Sequence, residues 1–465
     1  MTTDIVLNVK NGTKIVVPNT LNAMTTYVLL EQERWFEKEW GFIERLLLPG
    51  MTALDIGANL GLYSTAMARA VGASGRIIAY EPTSDTRRRL LATLTVNDMQ
   101  QVTVVASALS DSEREGRIVF GGSSELNHLG SSEDGNGEAV HLTSLDLERA
   151  RNGWNHIDFI KLDAEGEELR IIAGGKSVFE HDDPIVMFEI KAADIYEPRI
   201  AVQFSNMGYE LFRLLPNCDL LVPFDSTQID SFELNLFAVK PRVATELSAR
   251  GLLARSRSSA IQGDWASWLS TRPYGQMFTD VGEARTTLYK EGLDAYAAWR
   301  NPELQPDERF SALLAARDAF AGSVEEHRDL ARLISLARAE LDLGFRGQSN
   351  NTVREVANQI NAGTKIWEPF PPLVLRYESI FGRLDGWVFM SLIEIMEFES
   401  KYSTFFGKVD PNIDRMIGTK YLSAEIERRR ALSALRRGQH VQLSMDLRKA
   451  AADHLNADAW AHLIN

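Results

Sequence analysis

The sequence has a single cysteine, Cys218, among 465 residues. A disulfide within the chain is therefore excluded, and so is a zinc site built from several thiolates. Scarcity of cysteine is typical of proteins in a reducing compartment, which favours a cytoplasmic location. Cys218 follows Pro216 and Asn217 in a predicted turn. No local pattern indicates an activated nucleophile, so we interpret Cys218 as a structural residue.

Long apolar runs and an excess of basic residues are also lacking. No apolar stretch reaches about 18 residues, so the sequence predicts no membrane span. Residues 1–10 have neither the basic start nor the apolar core of a signal peptide. The formal net charge is -14, which disfavours nucleic acid as a partner because an acidic surface repels phosphates. No pair of His or Cys residues has metal-ligand spacing, and no metal site is predicted.

Between residues 51 and 240, short apolar runs alternate with helical patterns. Such alternation indicates an α/β fold with a doubly wound, mostly parallel sheet. Two final runs, joined by a loop that contains Pro216 and Pro223, predict an antiparallel closing pair. The seven predicted strands are 52–56, 76–80, 102–106, 157–162, 185–188, 209–215 and 232–239. Upstream, residues 5–17 predict a hairpin around Asn11-Gly12, and residues 27–48 predict one or two helices.

Two segments depart from this pattern. Residues 110–140 are rich in Gly and Ser in places and predict a long loop. Beyond Lys240 the sequence is rich in Ala, Leu, Arg and Glu with helical periodicity, which predicts an all-α domain over residues 241–465. A faint tetratricopeptide-like pattern within 436–460 leaves two alternatives for this domain, a repeat array or a plain helical bundle.

A turn with two glycines follows the first strand of the predicted sheet. Its sequence is Asp55-Ile-Gly57-Ala-Asn59-Leu-Gly61. Glycines allow a tight turn and a close approach of the backbone to a ligand. Ligands of doubly wound sheets bind beyond the carboxyl ends of the strands. Taken alone, however, the pattern is equally compatible with an ordinary strand-to-helix turn.

An acidic residue at the end of the second strand points to a nucleoside. Glu81 lies 20 residues after Gly61, a spacing at which a carboxylate accepts hydrogen bonds from ribose hydroxyls. NAD is the competing ligand, but its Gly-x-Gly-x-x-Gly pattern needs glycines where this chain has Asn59 and Leu62. S-adenosylmethionine has no pyrophosphate and suits the relaxed motif better. A phosphate loop ending in Gly-Lys-Ser/Thr is absent after every predicted strand.

Four motifs, in order, resemble those of FkbM-family methyltransferases. The motifs are Leu-Asp-Ile-Gly-Ala-Asn-Leu-Gly-Leu-Tyr-Ser at 54–64, Ile-Ala-Tyr-Glu-Pro at 78–82, Ala-Ser-Ala-Leu-Ser-Asp at 106–111 and Ile-Asp-Phe-Ile-Lys-Leu-Asp-Ala-Glu-Gly-Glu-Glu at 157–168. The upstream segment with Glu31, Trp35 and Glu37 is also similar. The resemblance covers roughly residues 25–240, about one domain.

The resemblance implies a class I, Rossmann-like methyltransferase domain over residues 1–240, with S-adenosylmethionine as cofactor and O-methylation as the usual reaction. It also implies which residues hold the cofactor. Glu81 would hold the ribose, and Asp163 would lie at the tip of the fourth strand beside the sulfonium methyl. The remaining expected cofactor contacts are Asp55, Gly57, Ala58, Asn59 and Gly61 on the methionine and ribose side, and Ser107 and Ala108 beside the adenine.

Three residues are candidates for chemistry at the acceptor. Transfer to a hydroxyl needs in-line geometry and benefits from removal of the proton. Asp163 and Glu165 are the predicted acid–base pair, although Asp163 is also compatible with orienting the cofactor and Glu165 with an acidic first helical turn. That helical interpretation is preferred for Glu167–Glu168. His128 is the third candidate. Glu189, at the tip of the fifth strand, faces either the acceptor or solvent.

The predicted partner is a small-molecule or glycan acceptor, namely a sugar, glycan or natural-product hydroxyl, by analogy with the family. The helical domain would bind this acceptor or mediate homo-oligomer or protein contacts. Two other functions stay open: a NAD-dependent oxidoreductase, and a non-catalytic cofactor-binding scaffold whose helical domain binds a protein.

Overall fold

The structure is a computed structural model that describes residues 3–121, 128–130, 137–192, 195–215, 218–255, 263–272, 275, 286–364, 384–399, 401–419 and 422–464. Its strands are β1 Asp4–Asn8, β2 Lys14–Pro18, β3 Thr52–Ile56, β4 Arg76–Tyr80, β5 Val102–Val105, β6 Ser107–Leu109, β7 Arg114–Val119, β8 His128–Leu129, β9 Gly137–Thr143, β10 Phe159–Leu162, β11 Ile185–Glu189, β12 Lys191–Ala192, β13 Ile195–Tyr196, β14 Glu210–Leu215, β15 Leu220–Pro223 and β16 Asn235–Val239.

The helices follow the strands of the first half and dominate the second half. They are α1 Met24–Gln32, α2 Lys38–Leu46, α3 Leu62–Val71, α4 Ser84–Val96, α5 Leu145–Asn152, α6 Glu168–Ala173, α7 Lys176–His181, α8 Pro198–Asn206, α9 Pro241–Ala249, α10 Trp265–Ser270, α11 Thr287–Trp299, α12 Pro306–Glu326, α13 Leu330–Asp342, α14 Arg346–Asn361, α15 Leu384–Glu399, α16 Ala424–Arg436, α17 Met445–Ala452 and α18 Ala457–Ile464.

The first two strands form the predicted hairpin, in which Asp4 lies opposite Pro18 and Asn8 opposite Lys14. The predicted helical segment 27–48 contains two helices, α1 and α2, rather than one continuous helix. Glu33 adopts a left-handed conformation with φ of 62°, and this conformation ends α1 because a right-handed helix cannot continue through it.

The main sheet has the order β15-β14-β16-β11-β10-β3-β4-β5. The five strands from β11 to β5 are parallel, and β16 runs antiparallel to both β11 and β14. The predicted parallel sheet with an antiparallel closing pair is therefore confirmed. In the described residues the sheet has eight strands rather than the predicted seven. The sequence placed β15 in a loop because prolines at 216 and 223 flank this short run.

Apolar runs explain why these strands lie at the centre of the fold. β3, β10 and β16 are buried along almost their whole length, as expected for strands covered on both faces. Two charged residues interrupt these apolar strands: Asp55 in β3, which is fully buried, and Lys161 in β10, which is only 4% exposed. A buried ammonium needs anionic partners, and these partners define the site described below.

The predicted long loop at 110–140 is wrong in part. A second sheet with the order β6-β9-β7-β8 occupies this region, and β7 pairs with β9 from Arg114–Leu142 to Val119–Gly137. Ile118, Val140 and Leu142 form its small core. Charged residues and glycines interrupt the apolar alternation in β7 and β9, which hid these strands in the sequence. Residues 122–127 and 131–136 lie outside the described residues.

The chain divides into two compact units, but not at residue 240. The first unit comprises Met1–Arg213, Leu234–Thr245 and Glu427–Asn465, and the second comprises Leu214–Glu233 and Glu246–Ile426. The predicted boundary between residues 1–240 and 241–465 is thus corrected at the C-terminal end, where α17 and α18 belong to the first unit. Helical periodicity identified these helices but carried no information about which core they join.

The second unit is built mainly of successive helices around one apolar core, in which α11 to α14 pack in sequence order. A buried polar cluster lies within this core. The Asp342 carboxylate accepts hydrogen bonds from the Tyr296 hydroxyl at 3.0 Å and the Trp299 indole at 3.2 Å, and it pairs with Arg338. Cys218 packs against the same core as a free thiol, in keeping with its predicted structural role.

Candidate functional site

The turn after β3 lies against the end of β4. The backbone N–H groups of Gly57 and Ala58 both donate to the Tyr80 carbonyl, at 3.2 and 3.0 Å. Gly57 and Gly61 have φ values of 76° and 91°, which glycine adopts without steric cost. The turn therefore lies beyond the carboxyl ends of β3 and β4, where the sequence predicted a ligand.

Gly57 also touches the end of β10. A Cβ atom added at Gly57 would lie 1.9 Å from the backbone oxygen of Asp163, far inside van der Waals contact. The Asp163 N–H in turn donates to the Ile56 carbonyl at 3.3 Å. The glycine turn and Asp163 are thus held in direct contact, and any larger residue at position 57 would separate the strands.

Glu81 links the end of β4 to the glycine turn. Its Oε2 accepts the Asn59 N–H at 3.0 Å, and its Oε1 accepts the N–H and hydroxyl of Thr83 at 2.9 and 2.5 Å. Burial raises the pKa of Glu81, while these hydrogen bonds act in the opposite direction. Within the described residues, Asn59 Oδ1 is buried without a hydrogen-bond partner. Buried acceptors in proteins are normally hydrogen-bonded, and a bound ligand would supply the donor.

Lys161 joins the two strand-end aspartates. Its Nζ lies 2.9 Å from Asp163 Oδ2 and 3.8 Å from Asp55 Oδ1, and it donates to the Gly57 carbonyl at 3.2 Å. Although burial acts to lower it, the charges of Asp163 and Asp55 raise the pKa of Lys161. The Ser64 hydroxyl donates to the other Asp55 oxygen at 2.5 Å. Asp55 is fully buried, whereas the Asp163 side chain is 37% exposed.

The Glu37 carboxylate, in the segment between α1 and α2, lies near the Lys161–Asp163 pair. The Glu37 carboxylate accepts a hydrogen bond from the Tyr63 hydroxyl and lies 3.5 Å from the Asn235 amide nitrogen. Lys161 Nζ lies 5.2 Å from the centre of the Tyr63 ring. Enclosure by neighbouring atoms raises the pKa of Glu37, and the charge of Asp163 raises it further.

Glu189 supplies a further carboxyl group at the end of β11. Burial raises its pKa to about 9, and the charges of Asp163, Glu165 and Glu37 add to this effect. A carboxyl group with this pKa is protonated at neutral pH and donates a hydrogen bond rather than accepting two. Of the two interpretations of Glu189, a partly buried strand-end acid fits better than a solvated one.

The turn after Asp163 is organised by Glu168. Its carboxylate accepts the N–H groups of Ala164 at 2.9 Å and Gly166 at 3.0 Å, so Glu168 has the helix-start role preferred for it. Glu167 likewise receives the Ser110 hydroxyl at 2.6 Å. Glu165 is exposed at the tip of the turn, with φ of 49°. Asp163 and Glu165 are therefore in different surroundings.

The remaining predicted site residues lie in or beside the second sheet. Ser107 and Ala108 are partly buried in β6, opposite His141 and Leu142 of β9. His128 is exposed in β8, opposite Val119. Their predicted roles beside the adenine and in catalysis stay predictions.

Comparisons with known proteins identify the domain. Residues 55–219 match the sequence model described as the methyltransferase FkbM domain. This chain carries an FkbM methyltransferase domain. The match spans the glycine turn, Glu81 and Asp163, and thus includes the three strand ends that form the site.

Individual relatives also match over part of the chain. The AMB antimetabolite synthetase AmbE of Pseudomonas aeruginosa is 37% identical over 94 residues, which make up 20% of this chain and 4% of that protein. Among solved structures, methyltransferase FkbM from Methylobacillus flagellatus is 14% identical, with a TM-score of 0.29 over 41% of this chain and 43% of that one. An O-methyltransferase from Bacillus cereus in complex with SAH is 12% identical, with a TM-score of 0.28 over 43% and 80%.

The site contains residues whose contacts the sequence did not predict. Lys161, Glu37 and Tyr63 received no predicted contacts with Asp163 or Asp55. A signal for Lys161 was present, because one lysine interrupts the buried run Phe-Ile-Lys-Leu and must find a counter-charge. No local signal joins Glu37 to Tyr63, since their contact depends on how α2 packs against α3.

No described helix is long and apolar enough to cross a membrane. Among the residues that the structure describes, no group of three His, Cys, Asp or Glu side chains is placed to hold a metal ion. The expectation that no metal is needed stays a prediction.

Replacing Gly57 with alanine is expected to destabilise the FkbM domain by about 1–3 kcal/mol beyond backbone strain, because the new methyl group overlaps the Asp163 carbonyl. Chemical denaturation measures this loss. The matched control is Gly153→Ala, since Gly153 also has positive φ, of 61°, but a Cβ there meets nothing within 4 Å. Equal losses in both variants would contradict the close approach at Gly57.

The Glu189→Gln variant is expected to gain stability relative to wild type as the pH rises. Folded Glu189 keeps its proton up to about pH 9, whereas unfolded Glu189 loses it near 4.5. The folded state therefore binds the extra proton between these values, and wild-type stability falls as pH rises through this window. Melting temperatures at pH 5, 7 and 9 should differ increasingly, by about 2–4 °C per kcal/mol. A difference that is constant with pH would contradict the shift.

Proposed function

We propose that this protein is an S-adenosylmethionine-dependent O-methyltransferase that acts on a hydroxyl group of a small-molecule or glycan acceptor. The observation that carries the proposal is the contact of the Gly57 turn with Glu81 and Asp163 at three neighbouring strand ends, within a segment that matches the FkbM domain. In this proposal Glu81 is the nucleoside-binding acid and Asp163 the candidate base, and both contact the same backbone turn.

The residues present fit S-adenosylmethionine on two observations. The glycine at 57 leaves space that a Cβ would fill, and Asn59 Oδ1 is a buried acceptor without a partner among the described residues. Glu81 would receive the ribose hydroxyls, and the predicted neighbours of the adenine remain Ser107 and Ala108. When bound, the cofactor supplies an electrophilic methyl group, and the products are a methyl ether and S-adenosylhomocysteine.

The chain's own contribution to the reaction is to orient the acceptor and to take up its proton. Lys161 holds Asp163 Oδ2, which leaves Oδ1 as the atom assigned to receive the hydroxyl proton. Glu189, protonated at neutral pH, would donate a hydrogen bond to an acceptor oxygen. Glu165 and His128 remain alternative bases. Holding the reactants in line contributes several kcal/mol to such reactions, up to about 7–11.

The charge of the site bears on the acceptor class. Four acidic side chains at or near the site, Glu37, Asp163, Glu165 and Glu168, add to the burial that raises the pKa of Glu189, with Lys161 as a counter-charge. An electrostatic field of this sign disfavours anionic acceptors and leaves neutral polyols such as sugars, or natural-product hydroxyls. Similarity to a segment of an antimetabolite synthetase agrees with a natural-product acceptor.

The test is calorimetry with S-adenosylhomocysteine, followed by transfer of a radiolabelled methyl group from S-adenosylmethionine into a cell extract. We expect binding, and labelling of a small-molecule or glycan fraction that is stable to base, as methyl ethers are. Stabilisation by NAD instead would support the oxidoreductase. Binding of S-adenosylhomocysteine without any methyl transfer would support the non-catalytic scaffold.

A further inference from the structure

Side chains from the end of the chain cap α1. The last carbonyl groups of a helix have no partner within it. In α1 the Leu30 carbonyl accepts the Trp460 indole N–H at 3.1 Å, and the Glu31 carbonyl accepts Arg428 Nε at 3.2 Å. Trp460 and Arg428 are both buried. These two donors therefore contribute hydrogen bonds to carbonyl groups at the end of α1.

The residue that ends α1 is held by the same segment. Glu33 Oε1 accepts the Leu455 N–H at 2.9 Å, and Oε2 lies 3.4 Å from Arg428 Nη2 and 3.1 Å from Lys10 Nζ. Although burial acts to raise it, the Leu455 hydrogen bond and the Arg428 charge hold the pKa of Glu33 below its usual range. Charge-assisted contacts of this kind are stronger than neutral hydrogen bonds.

The end of the chain also binds the N-terminal hairpin. The Asn8 N–H donates to Asn456 Oδ1 at 2.6 Å, and Asn456 Nδ2 donates to the Asn8 carbonyl at 3.0 Å. One amide side chain thus pairs with the backbone of β1 as a neighbouring strand would. Residues 427–464 consequently contact β1 and α1, two of the elements that precede the glycine turn.

The capped end of α1 leads directly into the site. Three residues lie between the fixed Glu33 and Glu37, whose carboxylate accepts a hydrogen bond from the Tyr63 hydroxyl. Trp35 between them is buried. The Cα atoms of Glu33 and Glu37 can be at most about 14 Å apart. A displacement of Glu33 therefore moves or loosens Glu37. The matched FkbM segment, 55–219, contains neither Glu37 nor the residues that hold α1.

We propose that residues 427–464 are a positioning element of the methyltransferase unit, in which Arg428 and Trp460 hold the end of α1 so that Glu37 lines the acceptor side of the site. The inference rests on the proposed function for its effect on turnover. Residues 427–464 would thus serve the reaction of the first unit, whereas the sequence predicted acceptor binding or protein contacts for the whole of residues 241–465.

The test compares full-length Arg428→Met and Trp460→Phe with Arg448→Met, a control because Arg448 is exposed on α17. Hydrogen exchange of peptides covering 24–46 should accelerate in both variants and not in the control. Methyl transfer from radiolabelled S-adenosylmethionine into cell extract should fall about 10- to 100-fold, the scale of a misplaced active-site group. Affinity for S-adenosylhomocysteine and the apparent KM for S-adenosylmethionine should stay unchanged.

Two outcomes would overturn the inference. One is exchange of 24–46 at the wild-type rate in both variants, and the other is a loss of transfer that parallels an equal loss of S-adenosylhomocysteine affinity. If Arg428→Met fails to fold, Trp460→Phe decides, since it keeps an aromatic ring at this position and removes the N–H donor with the pyrrole part of the indole. Failure of the wild type to bind S-adenosylhomocysteine would instead refute the proposed function, and the exchange experiment would still test the capping.

Discussion

Substituting asparagine for Asp163 is expected to reduce methyl transfer by about 100- to 10,000-fold, the usual contribution of a general base. Asparagine keeps the size of the side chain but accepts no proton, and it leaves Lys161 Nζ without the carboxylate that lies 2.9 Å away. Incorporation of a radiolabelled methyl group into acceptors of a cell extract measures the effect. Affinity for S-adenosylhomocysteine, measured by calorimetry, should change much less.

Controls separate the two predicted carboxylates. Glu165→Gln changes the exposed tip of the turn, and Glu180→Gln removes an exposed charge on α7. Transfer lost in Glu165→Gln but retained in Asp163→Asn would assign the base to Glu165. Full activity in both would remove both residues from the catalytic set. A melting temperature for each variant distinguishes lost chemistry from lost structure, because Lys161 is buried and its pairing with Asp163 stabilises the fold.

Replacing Glu81 with alanine is expected to weaken S-adenosylhomocysteine binding by about 10- to 100-fold, since hydrogen bonds to a charged group contribute roughly 1.5–3 kcal/mol. Two effects add. The variant removes the proposed acceptor for the ribose, and it frees the Asn59 N–H, which lies 3.0 Å from Glu81 Oε2 and holds the glycine turn in place. Calorimetry on the full-length protein measures the affinity.

A second variant separates the ribose contact from the shape of the turn. Thr83→Val removes the hydroxyl donor to Glu81 Oε1 but keeps the carboxylate, so binding should be close to that of wild type. Wild-type affinity in Glu81→Ala would show that the ribose is held elsewhere. Weakening in Thr83→Val as large as in Glu81→Ala would show that Glu81 acts through the turn alone.

The fold of the sheet was largely predictable. Runs such as 52–56 and 76–80 are short, apolar and followed by helical patterns, and the strands lie there. Strands in which apolar and polar residues alternate only weakly were not predictable. β7 and β9 contain charged residues and glycine, and their stability comes from pairing over a long sequence separation, which no local pattern reports.

The residues of the site likewise include some that the sequence predicts and some that it does not. Gly57, Glu81 and Asp163 stand out because the turn and the strand ends have recognisable spacing. Lys161 could have been noticed as a charge in a buried run. Glu37 and Tyr63 could not, since Glu37 directly precedes α2 and Tyr63 lies in α3, and only the packing of α2 against α3 brings the carboxylate to the hydroxyl.

By itself, the sequence determined the order of strands and helices, the glycine turn and the family of the first domain, because each depends on residues close together along the chain. Only the tertiary structure decided which groups pair with residues that are far away in the sequence. In the folded protein Lys161 lies between two aspartates, and residues 427–464 cap the end of α1. Buried charges and helix-end carbonyls must find partners, but the requirement does not specify which distant residue meets it.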